Sequence, residues 1–174
     1  VSNSLAVSAG KSLGIYKTDG TLQTSFLSQK NTISEIQWKR DGSLLSSIAY
    51  NDLFLWNTGN TKPAKAFHWQ DALIAMRWSP DAKYIACGCQ GASVHVWNVF
   101  SGEDLQMWGY PAKVKTLTWD SMSTQLATGG GNEISIWNFE GAGPSGQEPT
   151  NLRSHLGLIT QLQFQTHGEF LASA

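Results

Sequence analysis

The sequence predicts an all-β fold of repeated four-stranded antiparallel units, and three observations carry that expectation. Charges are few and rings many: 14% of the 174 residues are charged, eight are Trp and 17 are Gly. Charged residues normally make up about 25% of a soluble domain. Apolar and polar residues alternate in short runs with a period of two, which suits strands and not helices. The same runs return about every 40 residues, the sign of a stacked repeat.

The first strand of each unit, strand a, ends in a ring. It reads Ile36-Gln37-Trp38, Met76-Arg77-Trp78, Leu117-Thr118-Trp119 and Leu162-Gln163-Phe164, with the rings spaced 40, 41 and 45 residues apart. A turn follows in most copies: Lys39-Arg40-Asp41-Gly42, Ser79-Pro80-Asp81-Ala82 and Thr166-His167-Gly168. Pro presets φ, Asp caps the turn and Gly accepts positive φ. Strand b then reads Leu44-Leu45-Ser46-Ser47, Tyr84-Ile85-Ala86-Cys87, Gln125-Leu126-Ala127-Thr128 and Phe170-Leu171-Ala172-Ser173, with an early copy at Ser4-Leu5-Ala6-Val7. Strand c ends in Trp-Asn at Trp56, Trp97 and Trp137, and the period places a worn copy at Tyr16. Strand d completes the unit. The long spacing is explained by an insert at 141–149, rich in Gly and Pro, which reads as a solvated c–d loop.

These units resemble the WD40-repeat family of β-propellers. The segment Trp78-Ser79-Pro80-Asp81 running to Ala86-Cys87 is similar to the family's aromatic-Ser-Pro-Asp-Gly…Leu-Ala-Ser stretch, and His155-Leu156-Gly157 to its His-Thr-Gly stretch. The resemblance covers essentially the whole chain, in units near 1–30, 31–70, 71–110, 111–156 and 157–174. It implies a propeller with about four blades' worth present. The chain opens and closes in strand b, so three assemblies are open: part of a larger ring of about seven blades, two chains sharing a ring, or a closed four-bladed ring. An unpaired strand edge would also allow self-association.

The departures from the family are informative. Trp-Asp is Trp-Asn throughout, and the family's Gly-His reads Gly109-Tyr110 in one blade, Ser154-His155 in another and a shifted His68-Trp69 in a third. WD40 domains tie their strands with a Trp, Ser/Thr, His and Asp hydrogen-bond tetrad. With Cys87 in a hydroxyl position, the resemblance implies a tetrad kept in part by Trp137 and Thr128 and otherwise lost, leaving stability to apolar packing.

Trp38, Trp56, Trp78, Trp97, Trp119, Trp137 and Phe164 sit on repeat positions and read as rings packed between blades. Trp69 and Trp108 lie off those positions, near d–a connections, with Tyr110 beside one of them. In this fold the d–a and b–c loops share a rim, so Tyr50, Asn51, Asp52, Gln90 and Asn132 belong with them. Exposed aromatics commonly anchor interfaces, which makes this rim the candidate partner site.

Other chemistries find little support. Net charge is −1 and no basic cluster exceeds Lys39-Arg40, so the footprint needed to neutralise phosphates is missing and no nucleic acid is expected. No apolar run reaches membrane-helix length. Cys87 and Cys89 would share one face of a strand about 6.5–7 Å apart, at or beyond disulfide range. They read as reduced core thiols, favouring a cytoplasmic setting. With His68 and His95, which read as surface residues, they form a poor zinc pattern, so no cofactor or metal is expected. Gly129-Gly130-Gly131-Asn132 joins strand to strand and reads as a b–c turn, since a phosphate cradle needs a following helix. Glu103-Asp104 reads as a solvated c–d turn. The inner strands carry the mixed set Glu35, Arg77, Lys115 and Gln161, which does not look catalytic. The resemblance therefore implies a non-catalytic scaffold for proteins or peptides. A metal or small-molecule sensor is the alternative, and an enzyme with a channel site a more distant one.

Overall fold

A computed structural model of the chain describes residues 4–141 and 143–174. Ala142 of the expected c–d insert and the first three residues of the first unit lie outside them. Among the described residues there are seventeen strands and no helix. No helix is therefore long and apolar enough to cross a membrane.

The strands form antiparallel sheets in chain order, as the period predicts. The first holds β1 (Ser4–Ala9), β2 (Ser12–Lys17) and β3 (Leu22–Ser25). Three four-stranded sheets follow. One is β4 (Glu35–Trp38), β5 (Leu44–Ala49), β6 (Asp52–Asn57) and β7 (Lys65–His68). The next is β8 (Leu73–Trp78), β9 (Tyr84–Cys89), β10 (Val94–Asn98) and β11 (Asp104–Met107). The third is β12 (Thr116–Trp119), β13 (Gln125–Gly129), β14 (Ile134–Asn138) and β15 (Thr150–Leu152). The hairpin of β16 (Leu162–Phe164) and β17 (Leu171–Ser173) ends the series. In the described residues β1 and β17 each stand at a sheet edge.

Each strand begins where local chemistry ends the one before. Between β8 and β9, the Tyr84 amide donates to Ser79 Oγ (2.9 Å) and the Lys83 amide to Asp81 Oδ1 (3.0 Å). Between β12 and β13, Asp120 Oδ1 accepts from the amides of Thr124 (2.7 Å) and Gln125 (2.8 Å). These Asx-type bonds give the turn backbone partners that the ladder cannot. The insert falls between β14 and β15, where the sequence places it. It is solvated only in part: residues 145–148 are exposed, while Gly143 and Pro144 are buried.

The chain divides into two compact units, Val1–Leu73 and Ile74–Ala174. In the first, Leu13, Ile15, Phe26, Ile33, Leu45 and Trp56 form a core between the β1–β3 and β4–β7 sheets. In the second, Val94, Val96, Leu117, Trp119, Trp137 and Phe139 do the same between the β8–β11 and β12–β15 sheets. Tyr84 stacks on Trp119 (6.1 Å, 10°) and Trp119 meets Phe139 edge-on (4.6 Å, 67°). Trp56, Trp78, Trp97, Trp119, Trp137 and Phe164 are all buried, and Trp38 is half-buried.

Candidate functional site: a groove beside Trp108

The site is built on a buried hydrogen-bond chain in the β12–β15 sheet. Trp137 Nε1 donates to the Tyr110 hydroxyl (2.7 Å), which lies 2.8 Å from Thr128 Oγ1. Thr128 Oγ1 in turn donates to the Ser135 carbonyl (3.0 Å). Burial pushes the Tyr110 hydroxyl pKa up to about 12, outweighing the hydrogen bonds to Thr128 and Trp137 that favour a phenolate. Tyr110 is thus held in place from inside, and the chain running into it is fixed as well. Pro111 and Ala112 press on Gly130 and Gly131, where an added Cβ would meet Tyr110 and Pro111 atoms at 2.7 and 2.8 Å.

Two residues before this anchor, Trp108 stands 73% exposed. It overlooks a groove of about 820 Å³ between β11 and β15, closed on one side by the 144–149 insert. Tyr110, Ser135 and Trp137 line it, together with the carboxylates of Asp104, Glu133 and Glu148 and the Arg153 guanidinium. Arg153 Nε is paired with Glu133 Oε1 at 2.9 Å. Asp104 Oδ2 lies 2.9 Å from Nε2 of the fully buried His95. A rigid floor, an exposed ring and acidic walls make a surface that can hold a chain segment; they present no nucleophile with its base.

The sequence-predicted rim residues fall in two groups. In the first unit, the Trp69 amide donates to the Asn51 carbonyl (2.9 Å) and the Leu73 amide to the Tyr50 carbonyl (2.7 Å), so the d–a and b–c segments do meet. Tyr50 is exposed and held at φ 59°, a backbone region that non-glycine residues rarely adopt. Asp52 Oδ1 and His68 Nδ1 lie 2.9 Å apart. In the second unit, Gln90 and Asn132 are exposed, and Asn132 Nδ2 donates to the His155 carbonyl (3.2 Å). Trp108 faces solvent as expected of a rim ring, whereas Tyr110 is half-buried with its hydroxyl committed to Trp137 and Thr128.

Comparison with known proteins now adds to the geometry. The profile of the family described as "WD domain, G-beta repeat" matches residues 62–98. Residues 62–98 therefore match a WD40 repeat, and the series of antiparallel sheets along the chain accords with a WD40-like propeller fold. The B-type cell cycle switch protein ccs52A of Medicago truncatula is 24% identical to it, over 99% of this chain and 38% of that protein. Eukaryotic translation initiation factor 3 subunit I of Coccidioides immitis is 28% identical over 56% of this chain and 29% of its own length. Meiotic fizzy-related protein 1 of Schizosaccharomyces pombe is 25% identical over 81% of this chain and 34% of its own length. The chain thus spans about two fifths or less of each of these relatives.

The WD40 resemblance implied a polar tetrad kept in part by Trp137 and Thr128; the structure shows that part and, with substitutes, parts of it in the β4–β7 sheet and the last hairpin. Tyr110 takes the His place opposite Trp137 and Thr128. Gln29 does so in the β4–β7 sheet, its Nε2 2.8 Å from Ser47 Oγ, which also accepts from Trp56 Nε1 at 2.9 Å. His155 keeps the family residue, 2.7 Å from Ser173 Oγ. A signal for these residues was present: Gln29, Trp69, Tyr110 and His155 are spaced 40, 41 and 45 apart, the same steps as the strand-a rings. Trp69 is therefore on the repeat after all, and it is half-buried.

Two further expectations are corrected. His95, expected at the surface, is fully buried against Trp97 (4.4 Å between centroids), and Asp104, expected in a solvated turn, opens β11 and faces it. Cys87 and Cys89 are buried without a disulfide. Among the described residues no three His, Cys, Asp or Glu side chains converge as a metal would need.

Burial lowers the His95 pKa to about 4 against the opposing pull of Asp104. The sign follows: as pH falls from 6.5, the unfolded chain takes up a proton that the fold refuses, so stability declines until about pH 4. At about 1.4 kcal/mol per pKa unit, the expected loss is at most about 3 kcal/mol. Urea unfolding at pH 7 and pH 5 checks it, and His95→Gln should flatten that part of the slope.

Proposed function

We propose that this chain is a non-catalytic binding platform for proteins or peptides, with the groove beside Trp108 as its principal contact surface. The observation that carries the reading is the contrast between neighbours: Trp108 is exposed while Tyr110, two residues on, is locked into the fold. An apolar ring held in water on a rigid base costs solvation but little ordering on binding, which is how interface anchors work. The positive φ of exposed Tyr50 is a second surface ring that the backbone holds at some cost in strain. Subunit I of an initiation factor is by name a member of an assembly, and a platform role in this chain accords with that. Buried thiols without a disulfide favour a reducing, cytoplasmic setting.

The test is selection from a display library of random peptides on the immobilised chain. Peptides enriched on the native chain are expected to lose about 30-fold in affinity on Trp108→Ala, the size of a 2 kcal/mol hot spot. The melting temperature should not move, since the ring is exposed. Enriched peptides that bind Trp108→Ala equally well, or no enrichment at all, would sink the reading.

A further inference from the structure

We propose that the β11–β15 groove takes an extended peptide segment bearing lysine or arginine. The inference rests on the platform reading and names the chemical class of its partner. Three features of the groove converge on it. β11 is the outer strand of its sheet, and alternate residues of an outer strand turn their amides and carbonyls away from the ladder, offering a partner strand a template. β15, the outer strand of the adjoining sheet, forms the opposite wall. The space between them, about 820 Å³, is of the size that receives a ligand or short chain segment.

Charge then selects the occupant. Three carboxylates, Asp104, Glu133 and Glu148, line the groove against one guanidinium, Arg153. Arg153 is already paired with Glu133, and His95 beside Asp104 is held in its neutral form by burial. Asp104, which faces only this neutral imidazole, and the exposed Glu148 therefore add uncompensated acidic groups to the groove lining. The Trp108 face completes the complement, since an indole attracts an ammonium or guanidinium through its ring quadrupole. An acidic segment would meet repulsion at both walls.

Two fluorescent probes of about nine residues test this, both alternating valine with a charged residue, one carrying lysine and the other glutamate. Fluorescence anisotropy on the whole chain should show the lysine probe binding at least tenfold more tightly. Its affinity should fall as salt rises. Glu148→Lys should weaken the lysine probe and strengthen the glutamate one. Trp108→Ala should weaken the lysine probe on a chain whose melting temperature is unchanged. Both variants lie at exposed positions, so neither puts the fold at risk. Equal binding of the two probes, or tighter binding of the glutamate probe, overturns the basic class. So does failure of the lysine probe to bind. If the display library still yields peptides sensitive to Trp108→Ala in those cases, the platform reading stands and only the partner's chemistry is wrong.

Discussion

Replacing Gly88 by valine is expected to destabilise the chain by about 3 kcal/mol or more, enough to lower the urea midpoint sharply or to prevent soluble expression. Gly88 lies in β9, and a Cβ built there runs into the carbonyl oxygen of Val114, with the Val114 carbonyl carbon at 3.0 Å and Leu117 Cδ1 at 3.4 Å. The obstacle is main chain, so no rotamer change relieves it. The Val114 segment cannot simply retreat either. Its amide donates to the Cys89 carbonyl (3.3 Å), and the Val114 side chain is fully buried in the core that Leu117 and Trp119 share. Gly59→Ala is the control. Nothing lies within 4 Å of a Cβ there and its φ is not positive, so the change should be neutral or stabilise by up to about 1 kcal/mol through the unfolded chain.

Gly88 also marks where sequence reasoning stops. The strand grammar was legible because its signals are local: alternation sets which face is buried, and Pro, Asp and Gly set the turns. Every strand-a and strand-c motif read from the sequence lies on a strand of the expected order. A glycine between Cys87 and Cys89 is a different kind of signal. It announces that another backbone comes close, without saying which. His95 shows the same limit. Its alternation with Val94 and Val96 puts it on a strand, but whether that face meets water or the next sheet depends on packing between sheets. Its closeness to Asp104 depends on the β10–β11 register, which pairs His95 with Gln106 and Trp97 with Asp104.

The candidate site was legible by halves. Trp108 was singled out because it departs from the strand motifs, and departure from a repeat is a fair pointer to exposure. Tyr110 was placed beside it for the same reason; it does line the groove, but its hydroxyl is committed to Trp137 and Thr128. It stands one full step before His155 and occupies the same structural post, as Gln29 does two steps earlier. A repeat can preserve a post while changing its occupant, provided the new side chain offers a hydrogen-bonding atom at the right reach. Tyr, Gln and His all do. The groove itself could not be seen, because its walls come from β11, β15 and an insert that matches no repeat position.

Truncating Trp56 decides how much of this fold rests on apolar packing and how much on the polar network. Trp56→Ala is expected to cost about 3–5 kcal/mol, measured by urea unfolding. The ring is 2% exposed and touches Phe26 (5.1 Å, 53°) and Phe54 (5.7 Å, 46°), so its removal leaves a cavity bounded by rigid rings. It also takes the Nε1 donor from Ser47 Oγ, which is fully buried and has Gln29 as its other partner. Trp56→Phe separates the two contributions. It keeps most of the ring and loses the donor, so a loss of about 1–3 kcal/mol would put a substantial share on the hydrogen bond. A fold held by packing alone would lose no more than the transfer energy of the missing ring atoms. Pairing each substitution with Ser47→Ala closes the comparison. If the network matters, the double variant Trp56→Phe with Ser47→Ala should be less damaged than the sum of the singles, because the Trp56–Ser47 bond can be lost only once. Strict additivity would return the stability of this fold to apolar packing.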